Sequence, residues 1–269
     1  MSDNKILEVN NLKKYFPVKK SKIKSNEERY IKAVDDVSFS IYSGETFGLV
    51  GESGCGKSTV SRLIMRLISL DNGEIFFNNK NFLNLSKKEL RKQRKNIQMV
   101  FQNPYESLNP RMTAGEIISA PFQIYKTLNK VEQVSKVKEL LEIVGLRKKY
   151  YERYPHEFSG GQRQRIGIAR AIALNPKLVI CDEAVSGLDV SVQAQILNLL
   201  NDLQKEFNFS YLFISHDLSV VKHMSDRIGV MHSGEIVELD EANEIYENPK
   251  NSYTKKLLSS IPTLDPKSN

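Results

Sequence analysis

Residues 46–60 read TFGLVGESGCGKSTV, and the architecture turns on them. Thr46–Val50 is a short apolar run with the character of a buried strand. Gly51, Glu52, Ser53, Gly54, Cys55, Gly56, Lys57 and Ser58 then fit G-x-x-x-x-G-K-[ST], with Thr59 behind them. A helical run follows from Lys57 to Leu70. A strand, a glycine-rich turn and a helix in this order let backbone N–H groups converge on a phosphate chain at a helix N-terminus. The glycines allow the backbone to close round it. Lys57 is expected to reach the β- and γ-phosphates, and the Ser58 hydroxyl to ligate Mg²⁺. Cys55 lies inside the loop. The nearby helix N-terminus is expected to lower its thiol pKa. Alkylation should then block nucleotide binding, and nucleotide should protect.

Strands and helices alternate outward from this loop. Residues 5–12 and 35–41 alternate apolar and polar side chains, Ile6 and Val9 marking the first and Val37, Phe39 and Ile41 the second. Both read as half-buried strands. Between them KKSKIKSNEERY (19–30) reads as a solvated basic loop, or as a contact with headgroups or a partner. Strands are predicted at 73–79, 97–101, 178–181 and 211–215, and a hairpin at 227–239. Helices are predicted at 162–174 and 191–206, with two short ones closing the chain. Residues 112–158 read as mostly helical, with Val134, Val137, Leu141 and Val144 at helical spacing and Gly145 as a C-cap. The fold class is therefore α/β with a mainly parallel sheet. An N-terminal antiparallel β subdomain and a helical subdomain inserted at about 103–160 accompany it.

The strand LVIC (178–181) runs into two carboxylates, Asp182 and Glu183. Ligands of α/β sheets sit at strand ends. Successive strand residues face opposite sides, so Asp182 can turn to Mg²⁺ and Glu183 to a water. Gln102 ends IQMVFQ, Ser159-Gly160-Gly161-Gln162 opens a helical run, and His216 follows YLFIS. Each is weak alone; the set in this order is not.

Composition narrows the class. Hydrophobic residues make up 40% and charged residues 26%, as in ordinary globular chains. Lys and Arg number 39 against 32 Asp and Glu, a net +7 that suits an anionic partner. No apolar run approaches the roughly 18 residues of a membrane span. The first residues lack a signal-peptide core. Two cysteines, Cys55 and Cys181, fit neither a disulfide framework nor a metal spacing, which suits a reduced cytosolic setting.

With these motifs in place, the chain resembles an ABC transporter ATP-binding subunit: GESGCGKST (51–59), FQ (101–102), SGGQRQR (159–165), LVICDE (178–183), SGLD (186–189) and SHD (215–217). The likeness covers nearly the whole chain, read as one ATPase domain over 1–269. VFQNPYESLNPRMT (100–113), DVSVQAQ (189–195) and NSYTKKLLSSIP (251–262) are similar to the peptide/nickel importer family, the last within a C-terminal extension at about 240–269. SLNPRMT looks more like the second, F-type, ATPase subunit than the first. The resemblance implies a P-loop NTPase core of ABC type and ATP with Mg²⁺ as ligands. It implies that Phe16, with Tyr15 beside it, stacks on adenine. Gly51, Glu52, Ser53, Gly54, Cys55, Gly56, Lys57, Ser58 and Thr59 bind the triphosphate, and Asp182, Ser58 and Gln102 serve the metal. Glu183 activates water, His216 contacts the γ-phosphate, and Gln102 senses the site and links it to the membrane subunits. Ser159, Gly160, Gly161, Gln162 and Asp189 act across a head-to-tail dimer seam.

The implied partners are a second ATPase subunit, two membrane permeases and an extracytoplasmic solute-binding protein, at the cytoplasmic face of the plasma membrane. The segment after Gln102, with Pro104, Tyr105 and Pro110, is a candidate surface for the permeases. The family usually has Pro after the catalytic Glu, and here it is Ala184, which also occurs in nickel-type relatives. No cysteine cluster follows, so no iron–sulfur centre is expected. Import of oligopeptides or dipeptides is the leading expectation, with nickel or a metal chelate as the alternative. A nucleic-acid-associated ATPase is distant, because only 102 residues separate Lys57 from Ser159 and no long coiled coil intervenes. A catalytically silent subunit is disfavoured by intact Gln102, Glu183 and His216. The transported solute is not written in these residues.

Overall fold

The computed structural model describes residues 4–18, 30–103 and 107–260. The basic stretch 19–30, except for Tyr30, lies outside the described residues, as do Pro104, Tyr105 and the end of the C-terminal extension. The strands are β1 (Lys5–Pro17), β2 (Tyr30–Tyr42), β3 (Thr46–Val50), β4 (Asn72–Phe77), β5 (Lys80–Asn81), β6 (Ile97–Val100), β7 (Leu178–Asp182), β8 (Ser210–Ser215), β9 (Arg227–His232) and β10 (Glu235–Glu241). The α-helices are α1 (Lys57–Ile64), α2 (Lys87–Arg94), α3 (Ala114–Tyr125), α4 (Lys130–Ile143), α5 (Gly160–Ile172), α6 (Val190–Phe207), α7 (Leu218–Met224), α8 (Ala242–Glu247) and α9 (Ser252–Ser259). They form two compact units, residues 1–85 with 213–269, and residues 86–212.

In the first unit an antiparallel sheet has the order β2-β1-β4-β5. β1 and β2 are longer than their alternation predicts, because β-bulges interrupt the register between Lys5 and Leu7 and between Val9 and Leu12. Ile6 and Leu7 are consequently both buried, and the period of two fails where the strand does not. β3 runs parallel to β9, and β10 returns antiparallel to β9. The turn between β9 and β10 uses Ser233 and Gly234 at φ 48° and 91°, as a tight hairpin of right-handed strands needs. α1 stops at Ile64, short of the predicted Leu70. Arg66 takes a left-handed backbone at φ 51° there, and its guanidinium donates to the Phe82 carbonyl.

In the second unit β6 and β7 are parallel. All five residues of β7 are buried, which is why its sequence is continuously apolar rather than alternating. Each of α2, α3, α4 and α5 starts with a capping box: Ser86 with Glu89, Thr113 with Glu116, Asn129 with Glu132, and Ser159 with Gln162. The sequence reading missed α2, which buries no side chain and so has no apolar stripe. The predicted helical block resolves into α3, α4 and the 3₁₀ turns Lys148–Glu152 and Pro155–Glu157. Val137, Leu141 and Val144 are buried, but Val134 is exposed. Gly145 follows α4 at φ 73°. Among the described residues no helix is long and apolar enough to cross a membrane.

Candidate active site

The phosphate loop belongs to the first unit, and its shape is imposed from outside. A Cβ at Gly51 would sit 2.0 Å from the Met231 carbonyl oxygen of β9. One at Gly56 would sit 2.0 Å from that of Ala33 in β2. The Gly234 N–H donates to the Cys55 carbonyl at 3.0 Å. Glycine is required where one backbone lies this close to another.

Lys57 opens α1 and points back into the loop. Its Nζ donates to the carbonyls of Gly51 and Glu52 at 2.8 and 2.9 Å, and to Cys55 Sγ at 3.7 Å. The residue is only 3% exposed, and among the described residues no carboxylate pairs with it. A buried ammonium held by carbonyl dipoles and a thiol sulfur lacks its counter-charge. An anion entering the loop supplies it.

Cys55 corrects the sequence reading. Burial pushes its thiol above the ordinary cysteine value, and this outweighs the lowering by the Lys57 ammonium and its hydrogen bonds. The helix N-terminus therefore does not make it a reactive thiolate. Cys181, inside β7, is pushed up by burial to about 12.

His216 is exposed where β8 ends. Asp217 beside it accepts the N–H groups of Ser219 and Val220 to start α7. Tyr15 and Phe16 differ in what they offer. The Tyr15 hydroxyl donates to Asp35, and that hydrogen bond raises its pKa. Phe16 is 38% exposed and carries the Lys14 ammonium 5.5 Å from its ring centre, so Phe16 presents the freer aromatic face.

In the second unit Asp182 ends β7 and is buried. Glu183 lies beyond the strand at φ 49°. Its direction is thus set by a left-handed turn rather than by strand alternation. Ser186 fixes that turn, its N–H and hydroxyl donating to the Glu183 carbonyl at 3.0 and 2.9 Å. Gln102 Nε2 donates to Glu183 Oε2 at 2.7 Å, uniting two residues 81 positions apart. Neither strand alternation nor spacing foretold that contact.

Ser159 is the N-cap of α5, which starts at Gly160, two residues before the predicted Gln162. The Gln162 N–H donates to Ser159 Oγ at 3.3 Å, and the Ser159 N–H donates to Gln162 Oε1 at 3.1 Å. A Cβ at Gly161 would meet Val192 Cγ1 of α6 at 2.3 Å. The motif thus presents a helix N-terminus packed tightly onto its neighbour. Asp189 is the exposed N-cap of α6, and its side chain makes no capping hydrogen bond. Among the described residues no group of three or more His, Cys, Asp or Glu is placed to hold a metal ion.

One further residue at the loop has no local signal in the sequence. Tyr253 of α9 reaches the phosphate loop from 201 positions away, its hydroxyl accepting the Glu52 N–H at 3.3 Å.

Residues 34–186 match a family described as ABC transporter, and residues 237–269 one described as oligopeptide/dipeptide transporter, C-terminal region. The chain is similar to the oligopeptide transport ATP-binding protein AppF of Bacillus subtilis (strain 168), 57% identical over 96% of this chain and 78% of that protein. It is similar to OppF of the same organism, 55% identical over 97% and 84%. Two solved structures are 30% identical to it and cover 88% of this chain and 98% of theirs. One is a dimeric bacterial ABC transporter cassette, at a TM-score of 0.76. The other is a dimeric ATP-binding cassette in a post-hydrolysis state bound to ADP and Pi, at 0.75.

Proposed function

This chain belongs to the ABC transporter family, and from that premise we propose that it binds and hydrolyses ATP to power import of oligopeptides or dipeptides. The observation that carries the reading is Lys57, a buried cation inside a glycine-shaped cradle with no carboxylate partner among the described residues. A triphosphate fits what that cradle lacks. The names of the relatives, both oligopeptide transport ATP-binding proteins, support the solute class. They favour it over nickel or a chelate and over nucleic acid.

In this reading Gly51–Thr59 wrap the phosphates, and Lys57, kept inward by the Gly51 and Glu52 carbonyls, reaches the β- and γ-phosphate oxygens. Phe16 stacks on adenine, with Tyr15 held beside it by Asp35. The Ser58 hydroxyl, the Asp182 carboxylate and the Gln102 carbonyl are hard oxygen donors of the kind Mg²⁺ takes. When bound, the ion neutralises charge on the phosphate oxygens. Glu183 accepts the proton of the attacking water, and the Gln102 amide aims its carboxylate. His216 donates to the γ-phosphate. Ser159, Gly160, Gly161, Gln162 and Asp189 complete the site of a second subunit packed head to tail. The work is positioning and charge stabilisation, since phosphoryl transfer asks little covalent chemistry of the protein. The subunit acts as the F-type half of an ATPase pair docked on two permeases at the cytoplasmic face, served by an extracytoplasmic binding protein.

The test is Glu183→Gln in the full chain. ATP binding persists, while phosphate release falls by about 10²–10⁴-fold, the usual worth of a general base. Undiminished release removes Glu183 from this role. Tagged Glu183→Gln protein drawn from native membranes with ATP recovers the permeases and the second ATPase. The binding protein recovered with them binds oligopeptides; binding of nickel instead shifts the solute assignment.

A further inference from the structure

The C-terminal segment is wired into the phosphate loop through one peptide plane. The Gly51–Glu52 peptide has its carbonyl bonded to Lys57 Nζ at 2.8 Å and its N–H bonded to the Tyr253 hydroxyl at 3.3 Å. Both ends of the unit are held, one by the lysine of the loop and one by α9.

Tyr253 is itself held from several sides. Its N–H donates to Oδ1 of Asn251, the N-cap of α9, at 2.8 Å. Glu238 of β10 accepts the Lys250 and Asn251 N–H groups at 2.7 and 3.1 Å. The Asn251 side chain donates to the Val237 carbonyl at 3.3 Å. The Tyr253 ring lies against His232, with centroids 3.9 Å apart. His232 follows Met231, whose carbonyl forms the floor beneath Gly51. The β9–β10 hairpin therefore carries the floor of the loop, the ring that packs on Tyr253 and the carboxylate that fastens α9.

We propose that Tyr253 is a positioning residue for Lys57: by holding the Gly51–Glu52 peptide it keeps the Gly51 carbonyl turned to the lysine and the loop preorganised for a triphosphate. The inference rests on the reading of this loop as the site of ATP. Removing the hydroxyl frees the peptide to rotate, so ATP must order it on binding. One neutral hydrogen bond of ordinary strength corresponds to a change of about fivefold. The bond addresses the loop before chemistry, so the loss falls on KM and not on kcat.

The experiment compares the full chain with Tyr253→Phe, which keeps the ring against His232. ATP is the probe. In the variant KM for ATP rises about fivefold at unchanged kcat. The Glu52 backbone amide resonance moves upfield in the absence of nucleotide, and the thermal midpoint falls by no more than the roughly 2–4 °C that one such bond carries. Three results overturn the proposal: an unmoved Glu52 resonance, a moved resonance with unchanged KM, or a KM change accompanied by a larger fall in the thermal midpoint. A wild-type chain that fails to bind ATP at all overturns the reading of the loop instead, so the two failures are told apart.

Discussion

Gly54 and Gly56 stand two residues apart in one motif, yet replacing each with alanine should have unequal effects. Both have left-handed backbone, at φ 85° and 112°. An L-residue in such a conformation costs about 1–2 kcal/mol. At Gly54 an added Cβ meets nothing within 4 Å, so that term stands alone. At Gly56 it meets the Ala33 carbonyl oxygen at 2.0 Å and Met231 Cε at 2.7 Å. The methionine side chain can turn away, but the carbonyl belongs to β2 and cannot. Relieving that contact moves backbone, and overpacking of this kind adds about 1–3 kcal/mol. The expected cost is therefore about 1–2 kcal/mol for Gly54→Ala and about 2–5 kcal/mol for Gly56→Ala. At roughly 2–4 °C per kcal/mol for a chain of this size, Gly54→Ala lowers the thermal midpoint by about 2–8 °C and Gly56→Ala by about 4–20 °C. Differential scanning fluorimetry of the full chain without nucleotide measures both. Equal midpoints for the two variants refute the claim that the backbone of β2 shapes the loop at Gly56.

Ser159→Ala removes the N-cap of α5 and costs about 1 kcal/mol, read as a fall of roughly 2–4 °C in the thermal midpoint. Cys55 should react slowly with a neutral maleimide at pH 7 and faster as pH rises past the ordinary cysteine range, because burial holds its thiol up; a pH-independent rate counts against this. ATP slows the reaction, and the modified chain no longer binds ATP. At Glu238 burial pushes the carboxyl up, but the Lys250 and Asn251 N–H groups it accepts and the Lys250 charge outweigh it and leave the folded pKa lowered. Its contribution is therefore present above the ordinary carboxylate value and lost as pH falls through the lowered one. Acid melting of wild type and Glu238→Gln should diverge at neutral pH and converge in strong acid.

What could be read from the sequence follows the range of the interactions involved. The phosphate loop is local: strand, glycines and Lys57 lie within fifteen residues, and each bond that folds Lys57 inward spans six positions or fewer. The start of α5 is equally local, since Ser159 and Gln162 cap each other. Glu183 was legible as a residue type but not in its direction, which depends on a left-handed turn and on Gln102 across 81 positions. The thiol of Cys55 is misread from sequence because helix position is visible there and burial is not. α2 escaped because its signal was a capping box and not an apolar stripe. Tyr253 reads only as part of a family marker, because nothing in one dimension joins it to Glu52.

The first unit is assembled from both ends of the chain, and this sets an order of events during synthesis. Residues 86–212 are contiguous and can collapse as soon as they emerge. β3 must wait for β9: the hydrogen bond from the Thr46 N–H to Asp226, at the foot of that pairing, spans 180 positions. A nascent chain thus displays the whole glycine-rich motif long before the Met231 carbonyl and the Gly234 N–H arrive to shape it. Competence to hold a nucleotide is acquired late, after the whole of residues 86–212 has been made, and a ribosome stalled before residue 234 holds the loop without its floor.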